Sequence, residues 1–170
     1  MGEIKIFGYI IVATLFLSAI VMPLVEIFFA YRERLMLSDA LYNSCRVAAE
    51  ASINYWDISN INAAVYEHAF DENFGNTFAT SFGLSYLGKT GNTLKFKGNE
   101  AYNDFEVVLL FEEKYSESHG ASYDKTITSV SVEATSPYKY KISFMQSLND
   151  NAHYDYLLRS ERKYFIEVFN

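Results

Sequence analysis

Residues 6–25 read IFGYIIVATLFLSAIVMPLV and contain no charged residue. As a helix, twenty such residues extend about 30 Å, the thickness of a hydrocarbon core. A core helix of a soluble domain would keep a polar face, and this run has none. A secretory signal would have a shorter apolar core, a small-residue cleavage site and a more basic start. Ala13, Ser18 and Ala19 are small, but no cleavage pattern follows the run. A retained transmembrane helix is therefore expected. Apolar character continues past Glu26 to Tyr31, so residues 1–31 are assigned to the membrane helix. Its contact positions, to lipid or to other helices, are Ile6, Ile10, Phe16, Ile20, Pro23, Glu26 and Phe29.

No turn residue ends the helical signal. Residues 27–55 contain neither Gly nor Pro. Leu37, Leu41, Cys45, Ala48 and Ala49 recur at spacings of three and four, which marks one helix face. Ala40, Ala48, Ala49 and Ala51 are small enough to let a sheet or another backbone approach. The spacing predicts a membrane helix that runs on into an amphipathic helix, with Leu37, Leu41, Cys45 and Ala48 packing a domain formed by residues 32–170. Pro23 removes one backbone hydrogen bond and favours a kink, which neighbouring helices can repair in a membrane. Glu26 has two readings: a carboxylate at the interface reaching water, or a paired carboxylate in a helix–helix assembly.

Net charge is −7 over 170 residues. Phosphate neutralisation needs clustered Lys and Arg, so nucleic acid is not an expected partner. A single cysteine, Cys45, forbids an intrachain disulfide framework. Fourteen Tyr and fourteen Phe point to a packed core and not to a disordered chain. For orientation, Lys5 and the amino terminus stand against Arg32 and Arg34, a near balance that slightly favours the C-terminal side inside. The Tyr- and Asn-rich remainder has the composition of an exported domain, so a single-pass protein with its C-terminal domain outside the cytoplasm is the expectation, with charge leaving the topology open.

Beyond Trp56, Ser59 or Asn60 can cap a helix over residues 61–74, with Gly75 as its stop and room for one more helical turn within residues 76–84. From Leu84 the period becomes two. Strands are expected at 93–98, 104–113, 125–135 and 138–144, with residues 115–124 as a hairpin connection. Residues 157–170 close the chain as a short helix or a last strand. Ile127, Val130 and Val132 alternate imperfectly. The expected fold class is α+β: a long N-terminal transmembrane-plus-amphipathic helix packed on a small antiparallel sheet of about four strands.

GLSYLGKT, residues 83–90, fits the pattern of a phosphate-binding loop. Such a loop needs a buried strand before it and a helix N-terminus after it. Gly91 and Asn92 follow instead, and then TLKFKG reads as a strand. A turn ahead of a strand is the expected use of these glycines. His68, His119 and His153 are far apart, and the acidic pairs 71–72 and 112–113 lack the alternation of a calcium loop. No catalytic residue, metal ligand or cofactor-binding residue is expected, and neither is an enzyme.

LMLSDALYNSCRVAAEAS at residues 35–52 and ITSVSVEATSPYKYKISF at 127–144, placed after an N-terminal membrane helix, resemble the TadE-like, type IV pilin-like pseudopilins of tight-adherence pili. The resemblance covers the layout of nearly the whole chain. It implies a pilin-like fold and a structural subunit that assembles through its N-terminal helix into a filament or a pilus-assembly complex. The implied partners are copies of itself or related pilin-like subunits, the lipid bilayer and the pilus assembly machinery, with no cofactor. Pilin precursors carry a glutamate fifth in the mature chain, whereas Phe7 and Ala13 stand five residues after Gly2 and Gly8. The competing readings are a membrane-tethered extracytoplasmic binding module and a non-polymerising accessory subunit of a secretion or conjugation machine. A virus-encoded envelope component also fits. With five residues before the apolar run and no second run of that length, inward signalling by this chain is not expected.

Overall fold

The computed structural model describes residues 2–57, 62–65, 67–117, 123–152 and 156–166. Helix α1 spans Gly2–Ser52 without interruption, through Pro23, and is 51 residues long. At 1.5 Å per residue it extends about 75 Å. Its N-terminal part is apolar enough to cross a membrane, and only 6% of its most apolar window is buried. The protein's own domain therefore does not cover the run.

Beyond the run, burial on α1 becomes strictly one-sided. Glu26, Ala30, Glu33, Leu37, Ala40, Leu41, Ser44, Cys45, Ala48, Ala49 and Ser52 are buried, at steps of three and four. The expected packing face is thus present, and it starts earlier than its apolar members suggested. α1 ends at Ser52, not near Tyr55. Residues Ile53–Asp57 form β1, which pairs antiparallel with β2 at Asn62–Val65.

The expected helix at 61–74 is corrected on both sides. Residues 62–65 are strand, and helix α2 spans Glu67–Phe82. The proposed caps Ser59 and Asn60 lie outside the described residues. Gly75 does not stop the helix. Phe70, Phe74, Phe78 and Phe82 follow one another at four-residue steps, so their common face continues to drive burial past it. A side chain at Gly75 would meet the Tyr86 ring at 2.7 Å, so the glycine makes room for an aromatic neighbour.

A five-stranded antiparallel sheet follows, in the order β3 (Ser85–Thr90), β4 (Thr93–Lys97), β5 (Phe105–Glu117), β6 (Tyr123–Pro137) and β7 (Leu157–Phe165). The expected hairpin connection at 115–124 is corrected at both ends: residues 115–117 belong to β5 and 123–124 to β6, which pair antiparallel out to Glu117 and Tyr123. The imperfect alternation of Ile127 and Val130 is a β-bulge. The register shifts where Glu112 faces Ser129 and Glu113 faces Ile127, so one extra residue restores the inward phase for Val130, Val132 and Ala134. The closing segment is a strand, and it pairs along β6 from Pro137 to Ser129.

Residues 138–144 are not a strand. β6 ends at Pro137, the chain leaves the sheet, and helix α3 starts at Ser143 and runs to Ala152. The core lies between the sheet and helices α1 and α2. Phe78 is its centre, with ring centroids 4.9 Å from Phe96 and 5.9 Å from Phe74 and Phe105. Arg162 on β7 donates to the Ser38 hydroxyl on α1 at 2.6 Å, and Tyr164 stacks edge-on to Tyr42. The fold class is α+β: a long apolar N-terminal helix on an antiparallel sheet, consistent with a pilin-like fold.

Candidate functional site

The most constrained polar site is where the apolar run of α1 ends. Beyond Pro137 the hydrogen bonding to the β7 side continues for one more residue, from the Tyr138 N–H to the Tyr156 carbonyl at 2.7 Å, and the amides that follow need other partners. Those of Lys141 and Ile142 find theirs on α1. Lys141 N–H donates to Glu26 Oε1 at 2.8 Å, and Ile142 N–H donates to Glu26 Oε2 at 2.9 Å. The Tyr138 hydroxyl donates to Oε1 at 2.8 Å. Glu26 is 3% exposed and Tyr138 is 6% exposed.

The two amides also belong to the start of α3. Gln146 N–H bonds to the Ile142 carbonyl, which makes Ile142 the residue at the helix cap. Free amides and the helix dipole at that position favour an anion. Glu26 supplies it from a different helix, 116 residues earlier in the chain. The carboxylate of α1 thus closes the N-terminus of α3.

Glu33 lies two turns further along α1 on the same face. Its carboxylate pairs with Lys141 Nζ at 2.7 Å, and that ammonium also donates to the Ala101 carbonyl at 2.7 Å. The ammonium lies 4.9 Å from the centre of the Tyr102 ring. Segment 138–142 is therefore a strap held to α1 at two acidic residues. Burial, and then the hydrogen bond to Glu26, push the Tyr138 hydroxyl far above its usual pKa. It remains a donor throughout the physiological range.

Beside the strap lies a largely apolar groove of about 390 Å³, lined among others by Pro23, Ile27, Tyr31, Arg34, Tyr140 and Met145. Ile6, Ile10, Phe16 and Ile20 are exposed along α1, and Pro23 and Phe29 are half-buried. Leu37, Leu41, Cys45 and Ala48 have no exposed surface and form part of the core. Glu26 does not reach water in this chain, and its three donors come from its own domain. Sequence reasoning missed Tyr138, Lys141, Ile142 and Glu33. The seven-residue spacing of Glu26 and Glu33, in phase with Leu37 and Leu41, was the available signal.

The loop-like motif at 83–90 has a different use. Gly83, at φ +63°, follows the last turn of α2, and the Leu84 N–H returns to the Ala79 carbonyl at 2.8 Å. Gly88, at φ +110°, sits in a bulge of β3. Lys89 pairs with Asp71 at 2.5 Å and Glu67 at 2.7 Å on α2. Burial alone would lower the Lys89 pKa, but its hydrogen bonds to the two carboxylates outweigh that and raise it. The motif is thus a helix end and an edge strand, not a strand-to-helix turn.

Among the described residues, no group of three or more His, Cys, Asp and Glu side chains is placed to hold a metal. His119 and His153 lie outside the described residues. Cys45 is fully buried, and burial pushes its thiol up to about 12. No protein-family model, curated protein or solved structure matches this chain.

Proposed function

We propose that this chain is a membrane-anchored, pilin-like structural subunit, similar to the TadE-like pseudopilins, that assembles through its N-terminal helix. The supporting observation is the division of labour along α1. Its first half is apolar and exposed, and its second half is welded to a sheet. An apolar helix surface can sit in lipid and later pack against other subunits' helices, because the same surface is shielded from water in both states. The domain stays outside the cytoplasm, and the partners are copies of this chain or related subunits and the assembly machinery.

One observation favours a second reading, a fixed accessory module that does not polymerise. The Glu26 carboxylate is already satisfied within its own chain, so it is not free to set register with a neighbour. Gentle shearing of intact cells that make the protein, with its intact mass measured in sheared and membrane fractions, separates the two. Recovery in sheared filaments is expected for the subunit, and the mass reports any removed leader. Exclusive recovery in the membrane at full mass overturns the polymer reading.

A further inference from the structure

We infer that α3 is a second membrane contact: an amphipathic helix that lies in the bilayer interface beside the point where α1 leaves it. This rests on the reading of α1 as a membrane helix. The first observation is the distribution of exposed apolar side chains. Outside α1, seven large apolar residues are exposed among the described residues, and four of them, Phe144, Leu148, Tyr156 and Leu157, fall between residues 144 and 157. The second is the helix's own geometry. Ile142, Met145 and Asn149 are half-buried at three- and four-residue steps, so that side rests on the protein. Phe144 and Leu148 share an adjacent, exposed side, while Gln146 and Asp150 point the other way. Asp150 is the helix's single charged residue.

The third observation sets the height. The N-terminus of α3 is tied to Glu26, the first residue after the charge-free run of 6–25. A run of that length ends at the edge of a hydrocarbon core of about 30 Å. Past that level α1 remains apolar on its outer side, with Ile27, Phe28 and Tyr31 exposed. The inner side is already covered by the strap. Residues 26–31 therefore stand where lipid headgroups and the domain meet, and α3 starts there. Tyr31, Tyr138, Tyr140 and Tyr156 line the adjoining groove. Tyrosine, apolar in body and polar at its tip, gathers at this depth of a membrane. Because α3 carries no Lys or Arg, its contact draws on apolar burial and does not need anionic lipid.

The test uses the full chain with Cys45 replaced by Ala, reconstituted in phosphatidylcholine vesicles. Single cysteines at Phe16, Phe144, Leu148, Gln146 and Asp150 carry an environment-sensitive fluorophore. Phe16→Cys reports on α1 and should be quenched by lipids brominated deep in the acyl chains. Phe144→Cys and Leu148→Cys should show blue-shifted emission and quenching by shallow-brominated lipids. Gln146→Cys and Asp150→Cys should instead be quenched by aqueous iodide. If the Phe16 probe lies in the bilayer but those at 144 and 148 match 146 and 150 in iodide, the interfacial helix is overturned and the anchor stands. If the 144 and 148 probes are shielded from both quenchers and become exposed on dilution of the protein in lipid, the face binds a second copy, and the inference is again overturned. If the Phe16 probe is itself in water, the membrane reading falls and the inference with it.

Discussion

Glu26 is a buried carboxylate whose acceptor sites are filled by two amides and a hydroxyl. Removing it leaves those donors without a partner, and an unsatisfied buried donor costs about 1–3 kcal/mol. Glu26→Ala is therefore expected to destabilise the domain by about 3 kcal/mol or more, and Glu26→Gln by less, since the amide oxygen still accepts. Denaturant unfolding in detergent checks the order. The Cys45 thiol gives a second residue-scale prediction. Fully buried and pushed up to about 12, it should resist iodoacetamide at pH 8 in the folded protein and react once the chain is unfolded. Mass spectrometry after a timed pulse reads the difference, and rapid modification of the native protein would contradict the placement of Cys45.

At the scale of elements, α2 is held by its phenylalanine face and the sheet by paired edges. Phe78→Ala removes the ring at the centre of that face and should cost about 3–5 kcal/mol. Gly75→Ala must displace the Tyr86 ring, which also packs 5.3 Å from Phe96, and should cost about 1–3 kcal/mol. The sheet also carries an acid-sensitive component. The Gly98 amide and then Lys97 hold Asp104 below the usual carboxylate range, and Lys163 and then Ser129 do the same for Glu112. A carboxylate depressed in the folded state contributes stability above its unfolded pKa and loses it as pH falls through the folded value. Thermal stability should therefore decline below about pH 4, the ordinary range of these groups. Asp104→Asn and Glu112→Gln should each flatten that decline, and unchanged melting curves between pH 5 and pH 3 would contradict the two contacts.

For the whole molecule, the strap means that the domain does not begin where the apolar run ends. It takes hold of α1 at Glu26, inside the stretch assigned to the membrane from sequence. A fragment starting at residue 23 keeps both Glu26 and Glu33 and should fold. A fragment starting at residue 36 loses both anchor points of the strap. Segment 138–142 should then become the first site of limited proteolysis, while the β5–β6 core remains protected.

The sequence alone determined α1 and its division into two halves, because both rest on local rules. A charge-free run reports its own length, and a three-and-four repeat reports its own face. It also specified three of the five strands, expected at 93–98, 104–113 and 125–135, since a period-two pattern needs no knowledge of its neighbours. Tertiary structure decided the rest. Gly75 read as a stop, but the aromatic ladder of α2 and the Tyr86 ring made it a packing position. Residues 138–144 alternated like a strand, but hydrogen bonding to the β7 side goes no further than Tyr138 to Tyr156, and Glu26 accepts from the Lys141 and Ile142 amides instead. Glu26 itself looked like a charge in need of water or of another subunit. Its partners lie more than a hundred residues away in the chain, where no local periodicity could point to them.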